Sequence, residues 1–162
     1  MPLATHANAT TPVLLHIEIS ATDIVVSFEL SGNEAVGFQH RQRTAAEKSS
    51  VAQAMTTLTN PGQWIHLNAE AQCNSSVSSV AANIFRIVDP EAPKPKVPIT
   101  KPAFDTSVTF SCRMPQLLRS ADVTLISAFP RVREVTVDVH APAGNRTSVV
   151  TTPTATVALT PN

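Results

Sequence analysis

The chain has 162 residues, of which 43% are hydrophobic and 15% are charged, and its 12 Lys and Arg residues balance 12 Asp and Glu residues. A chain of this length fits one domain and can bury a core. Because there is no excess of positive charge to attract nucleic acid or anionic lipid, we expect neither as a partner. No apolar run approaches the roughly 20 residues of a membrane-spanning helix, so we do not expect the protein to span a membrane.

The first residues are small and polar, and we expect 1–12 to be a disordered leader and 13–162 to be a single domain. Met1-Pro2-Leu3-Ala4 lacks the basic start and apolar stretch of a signal peptide. The chain is rich in Thr, Ser, Asn and Pro and poor in Lys and Glu, which is typical of exported bacterial proteins. Either the protein is cytosolic or the sequence is the mature form of an exported protein with an added Met, and we expect the second.

Two segments near the start alternate apolar and polar residues, which is the period of a β-strand. Val13, Leu15 and Ile17 alternate with more polar neighbours, and Ile24, Val26, Phe28 and Leu30 repeat the pattern after a short turn. The sequence therefore predicts a β-hairpin from strands 13–20 and 24–31.

One helix is well marked in the sequence. It follows a loop that ends in Gly37-Phe38-Gln39-His40, and Thr44 and Glu47 form the pattern of a capping box. Val51, Met55 and Leu58 then fall on one helical face, and Asn60-Pro61-Gly62 ends the helix. The pattern predicts a helix over about 44–58.

Beyond the helix, further strands are predicted on either side of an exposed Pro/Lys-rich loop at 89–102, where proline favours an extended conformation. The strand candidates are 73–80, 84–88, 106–112, 123–126, 135–139, 148–150 and 156–159, with a helical turn at 114–118 and a hairpin turn at 143–145. The predicted fold class is α+β, a single domain of two loosely similar halves with mostly antiparallel strands, one main helix and short helical turns.

The five histidines show no local metal-ligand spacing. We interpret His16 as an exposed or hydrogen-bonded strand histidine, and His140, at a strand end, in the same way. For His66, packing beside Trp64 is as good an explanation as ligation. His40 differs because it lies between a glycine-containing loop and a capped helix, where side chains often serve a function. No nucleophile lies beside a base and no nucleotide-binding motif is present, so we do not expect an enzyme.

The two cysteines, Cys73 and Cys112, lie in strand-like segments. On their number and spacing alone, two unpaired buried thiols explain them at least as well as a disulfide does.

Several segments together resemble the ZrgA-like periplasmic zinc-binding proteins. Gly37-Phe38-Gln39-His40 followed by Thr44-Ala45-Ala46-Glu47-Lys48 is similar to the family's "GFEH…T..EK" stretch. The segments 69–73 and 104–112 are similar to its two cysteine segments, and 122–126, Phe129-Pro130 and 143–145 continue in the family's order. The resemblance spans about residues 13–160. It implies a periplasmic protein that binds zinc and supports its uptake, with a disulfide between Cys73 and Cys112.

The chain also departs from this family. The His-rich opening segment is replaced by 10–14, with only His6 nearby, and the His-rich loop is replaced by 89–102, which has no histidine. Of the family's candidate ligands, His40 clearly remains, and the site around it would be completed by His6, His66 or His140. The alternative is a metal-free scaffold or protein-interaction module, with an unidentified protein partner, that kept the fold but lost the zinc ligands.

Overall fold

The computed structural model describes residues 12–38, 43–82 and 103–159. Their strands are β1 Val13–Ile19, β2 Asp23–Ser31, β3 Ile65–Leu67, β4 Cys73–Ala82, β5 Ala103–Cys112, β6 Ser120–Val123, β7 Val135–Ala141, β8 Gly144–Val150 and β9 Ala155–Ala158. The helices are α1 Gly32–Ala35, α2 Ala45–Thr59 and α3 Leu125–Ala128. The α+β class is confirmed. The strand predicted at 84–88, the loop predicted at 89–102 and all but the last residue of the leader predicted over 1–12 lie outside the described residues.

The strands form a six-stranded sheet in the order β4-β5-β2-β1-β7-β8 and a three-stranded sheet in the order β3-β6-β9. The predicted hairpin of β1 and β2 is confirmed as an antiparallel pair. All strand pairs among the described residues are antiparallel except β1 and β7, which run parallel inside the larger sheet. That one parallel pair brings together segments from the two ends of the chain.

One face of the six-stranded sheet forms much of the hydrophobic core, because alternate residues of its strands point to that side. The buried residues of this inner face on β1, β2 and β7 are Val13, Leu15, Ile17, Ile24, Val26, Phe28, Leu30, Val135, Val137 and Val139. Residues between them therefore lie on the opposite, outer face. This alternation fixes which side chains are available for binding.

Helix α2 begins at the predicted capping box, where the Thr44 hydroxyl accepts a hydrogen bond from the backbone N–H of Glu47. Its buried residues are Val51, Ala54 and Leu58. After the helix, Trp64 is fully buried, donates through its indole N–H to the Leu58 carbonyl at 3.2 Å and meets the Phe28 ring edge-on. These contacts join the helix to the inner face of the sheet, and the helix prediction is confirmed.

Two local predictions were wrong. The strand predicted at 123–126 ends at Val123, and Leu125 and Ile126 begin α3 instead. Both side chains are buried, and a short apolar run that is buried throughout fits a strand or a helix equally well. The segment after β2 is also more ordered than a loop, because Ser31 and Glu34 form a second capping box that starts α1.

The disulfide implied by the family resemblance is present between Cys73 and Cys112. The two residues lie directly opposite each other, Cys73 at the first position of β4 and Cys112 at the last position of β5. The bridge therefore ties together the two strands that flank residues 83–102. Among the described residues, no helix is long and apolar enough to cross a membrane.

Candidate metal centre

Three potential metal ligands share the outer face of the six-stranded sheet. His16 lies between the buried Leu15 and Ile17 of β1, so its side chain points away from the core. Asp138 and His140 lie two residues apart on β7 and flank the buried Val139 in the same way. In the parallel pairing of these strands, His16 is directly opposite Asp138. The fold therefore places two imidazoles and a carboxylate on adjacent strands.

The ligand atoms of this cluster are close to one another. One atom from each of His16, Asp138 and His140 lies within 4.8 Å of the other two. The Asp138 Oδ2 atom lies 2.9 Å from Nε2 of His140 and 3.8 Å from Nδ1 of His16. The shorter contact is a hydrogen bond, in which the imidazole donates when Nε2 carries the proton. The carboxylate thus lies between the two rings.

Thr147 of β8 supports the carboxylate from its other side. This residue is directly opposite Asp138 in the antiparallel pairing of β7 and β8. Its hydroxyl donates to Asp138 Oδ1 at 3.3 Å, which leaves Oδ2 directed at the histidines. Hydrogen bonds of this kind orient a ligand before the metal arrives.

The composition and spacing of the cluster fit a divalent transition metal. Zinc binds neutral imidazole and carboxylate at about 2.0–2.2 Å, and tetrahedral geometry then separates ligand atoms by about 3.3 Å. The observed separations of 2.9 and 3.8 Å bracket that value. A metal bound to Nε2 of His140 would require that nitrogen to carry no proton, and the hydrogen bond to Asp138 would then be replaced by two metal–ligand bonds. Three protein ligands leave one tetrahedral position open.

The cluster is accessible to solvent. The side chains of His16 and His140 are 43% and 42% exposed, and that of Asp138 is 26% exposed. Two surface depressions in the described parts of the chain lie elsewhere, one along α2 and one between α1, α2 and residues 128–131. Neither contains a histidine or a cysteine. The cluster is thus an open site on a sheet surface, suited to a small ion that must enter and leave.

The structure places the four histidines that the sequence suggested as ligands in different ways. His140 belongs to the cluster. His66 is exposed on β3, opposite Asp122 of β6, and is not part of a group of three or more potential ligands within the described residues. His6 and His40 lie outside the described residues, so their predicted roles remain predictions.

Sequence reasoning did not select His16 or Asp138. His16 is an exposed strand histidine, as the sequence indicated, and it also contributes one of the three potential ligand atoms. The sequence contains a pattern that could have indicated the site. In Asp138-Val139-His140 two potential metal ligands are two residues apart, and in a strand this spacing places both side chains on one face. The same spacing occurs in His16-Ile17-Glu18. Only the pairing of β1 with β7 brings these segments together.

Comparison with protein families identifies the chain. A family model described as "ZrgA family zinc uptake protein" matches residues 11–159. The chain belongs to this family. The match covers most of the chain, includes all of the described residues, and confirms the resemblance noted from the sequence. No curated protein matches the chain. Membership of the ZrgA family associates the protein with zinc uptake, and zinc is among the metals that accept the ligand types of the cluster.

Proposed function

We propose that this protein binds zinc in the periplasm as an accessory protein of zinc acquisition, and that His16, Asp138 and His140 hold the ion. The observation that carries the proposal is the approach of three zinc-type ligand atoms to within 4.8 Å. Membership of a zinc uptake family supports the choice of metal. Zinc is here the cargo of the protein, not a cofactor for a reaction.

The periplasmic location is supported by the Cys73–Cys112 bridge. Stable disulfides form in oxidising compartments such as the bacterial periplasm and are rare in the cytosol. Zinc uptake and an oxidising compartment are compatible with a protein that collects zinc outside the inner membrane. Fractionation of cells, with alkylation of free thiols to report the disulfide, tests this part of the proposal.

The open geometry of the site suits a carrier. Two imidazoles and one carboxylate bind zinc without enclosing it, because each side chain is partly exposed. Zinc can leave to an acceptor that approaches the outer face of the sheet. His6 and His40 stay as proposed additional ligands, and substitution of His40 by alanine is expected to weaken zinc binding about tenfold or more if it contributes.

Zinc titration of purified protein tests the site. His16→Ala and His140→Ala should each weaken zinc affinity about tenfold or more, because each removes a ligand. His66→Ala is a matched control, since it removes an exposed strand histidine outside the cluster, and it should titrate like the wild type. Zinc at about 100 times its dissociation constant should stabilise the wild type by about 2.7 kcal/mol.

The titration also decides between zinc binding and the metal-free scaffold. Absence of binding heat and of any thermal shift with the wild type would favour the scaffold. Tight binding that neither His16→Ala nor His140→Ala weakens would place the ion elsewhere in the chain. Either result would overturn the proposed site.

A further inference from the structure

Glu18 extends the cluster on the outer face of the sheet. It lies two residues after His16 on β1, so its side chain points to the same side. In the parallel register it is directly opposite His140. His16, Glu18, Asp138 and His140 therefore occupy the corners of a four-residue square across two neighbouring strands.

The square has a definite chemical pattern. The two histidines occupy one diagonal and the two carboxylates occupy the other, because His16 faces Asp138 and Glu18 faces His140. Neighbouring strands are about 4.8 Å apart, so opposed residues lie side by side. The Glu18 carboxylate itself is outside the group of ligand atoms that lie within 4.8 Å of one another. Each imidazole thus has a carboxylate across the strand pair and another two residues along its own strand.

The Glu18 side chain could reach an ion held by His16, Asp138 and His140. Its side chain is exposed, and within the described parts of the chain no hydrogen bond or ion pair holds it in another position. Rotation about its side-chain bonds can therefore direct the carboxylate toward His140 on β7. Asp138, by contrast, is already held between Thr147 and His140.

We infer that the Glu18 carboxylate is the fourth zinc ligand and closes the open coordination position of the site. This inference rests on the proposed function. With His16, Asp138 and His140 alone, a bound Zn²⁺ retains one net positive charge, and the Glu18 carboxylate neutralises it. Two imidazoles and two carboxylates are all ligand types that zinc accepts in tetrahedral sites. The exposed carboxylate would also be the ligand that opens first when zinc leaves.

The test is a competition titration of zinc against a chromophoric chelator for the wild type and three variants. Glu18→Gln should weaken zinc affinity about tenfold or more, because the amide is a poor ligand and the charge is lost. Glu18→His should bind within a few-fold of the wild type, because imidazole replaces the carboxylate as ligand. Each variant is checked by thermal unfolding without zinc, and both should unfold like the wild type, since the position is exposed.

Glu70→Gln is the control for net charge. A hydrogen bond from the Asn68 side chain lowers the pKa of Glu70, with help from the backbone and from Arg119, so Glu70 is ionised at neutral pH. Its substitution removes the same charge in a segment, Ala69–Ala71, that is not part of the square. It should leave zinc affinity unchanged.

The titration is repeated at low and high salt to separate ligation from attraction through solvent. Loss of a direct ligand persists at high salt, whereas an exposed charge that acts at a distance is screened. The inference would be overturned if Glu18→Gln had the zinc affinity of the wild type, or if its loss of zinc affinity disappeared at high salt. Neither result would affect the proposed three-ligand site. The titration gives a different result if the proposed three-ligand site is itself wrong. In that case the His16→Ala and His140→Ala variants also have the zinc affinity of the wild type.

Discussion

His16 on β1 and Asp138 on β7 are direct partners in the parallel strand pair of the structure. Their side chains meet on the outer face of the sheet, with Nδ1 of His16 3.8 Å from Oδ2 of Asp138. His140 joins them from the same strand as Asp138. A candidate metal site thus arises from residues that are far apart in the sequence, because one pairing of strands places them together.

Removal of the Thr147 hydroxyl should weaken zinc binding without affecting the fold. Thr147→Val deletes the hydrogen bond to Asp138 Oδ1, so the carboxylate is no longer held toward the histidines. Substitutions of this kind typically cost 10–100-fold in metal affinity, and this bond at 3.3 Å should fall at the lower end, about tenfold. Zinc titration measures the change.

The chain provides a close control for that substitution. Thr156 donates to Asp122 Oδ1 at 2.6 Å and is directly opposite it on the smaller sheet. Thr156→Val therefore removes a similar threonine–aspartate hydrogen bond away from the cluster. If Thr147→Val, Thr156→Val and the wild type all had equal zinc affinities, the hydrogen bond from Thr147 to Asp138 would not contribute to zinc binding.

Loss of the disulfide should reduce stability more than zinc affinity. Cys73 and Cys112 are 39 residues apart, and the chain-entropy model gives a stabilisation of about 4 kcal/mol for a loop of this length. Cys73→Ala with Cys112→Ala should lower the free energy of unfolding by about that amount. Denaturant unfolding with and without reductant measures it, and the double variant should not respond to reductant.

Zinc affinity of the folded double variant should be unchanged, because the bridge joins β4 and β5 whereas the ligands lie on β1 and β7. A large loss of zinc affinity in protein shown to be folded would contradict this independence of the site from the bridge.

The hairpin of β1 and β2 and the helix α2 were predictable because their evidence is local. Val13, Leu15 and Ile17 repeat with the period of a strand, and Thr44 and Glu47 mark the start of a helix within one turn. The inward and outward sides of β1 follow from the same alternation. These features need no knowledge of distant parts of the chain.

The candidate site was not predictable in the same way. His16 and Asp138 are separated by more than a hundred residues, and alternation does not state which strands become neighbours or in which register. The i, i+2 patterns in β1 and β7 each provide only half of the site. The apolar residues Leu125 and Ile126 illustrate a second limit, since a short buried run has no period that separates strand from helix.

Thr106 provides a test of the core. It lies on β5 with 3% of its surface exposed, and its hydroxyl has no hydrogen-bond partner among the described residues. Burial of an unpaired hydroxyl costs about 1–3 kcal/mol. Thr106→Val, which has nearly the same shape, should therefore raise the free energy of unfolding by about 1 kcal/mol.

Thermal or denaturant unfolding checks this value. Thr109→Val is the control, because it makes the same change on the outer side of the same strand and should shift stability by less than about 0.5 kcal/mol. A destabilised Thr106→Val would mean that the hydroxyl has a hydrogen-bond partner elsewhere in the chain.

The location of zinc in crystals of the protein tests the central claim most directly. Anomalous scattering collected at the zinc absorption edge identifies the ion without reference to the ligands. We predict a peak between β1 and β7, about 2.0–2.2 Å from a ring nitrogen of His16, a ring nitrogen of His140 and a carboxylate oxygen of Asp138. The claim would be contradicted by a fully occupied zinc ion bound at other residues while the hydrogen bond between Asp138 and His140 is still in place.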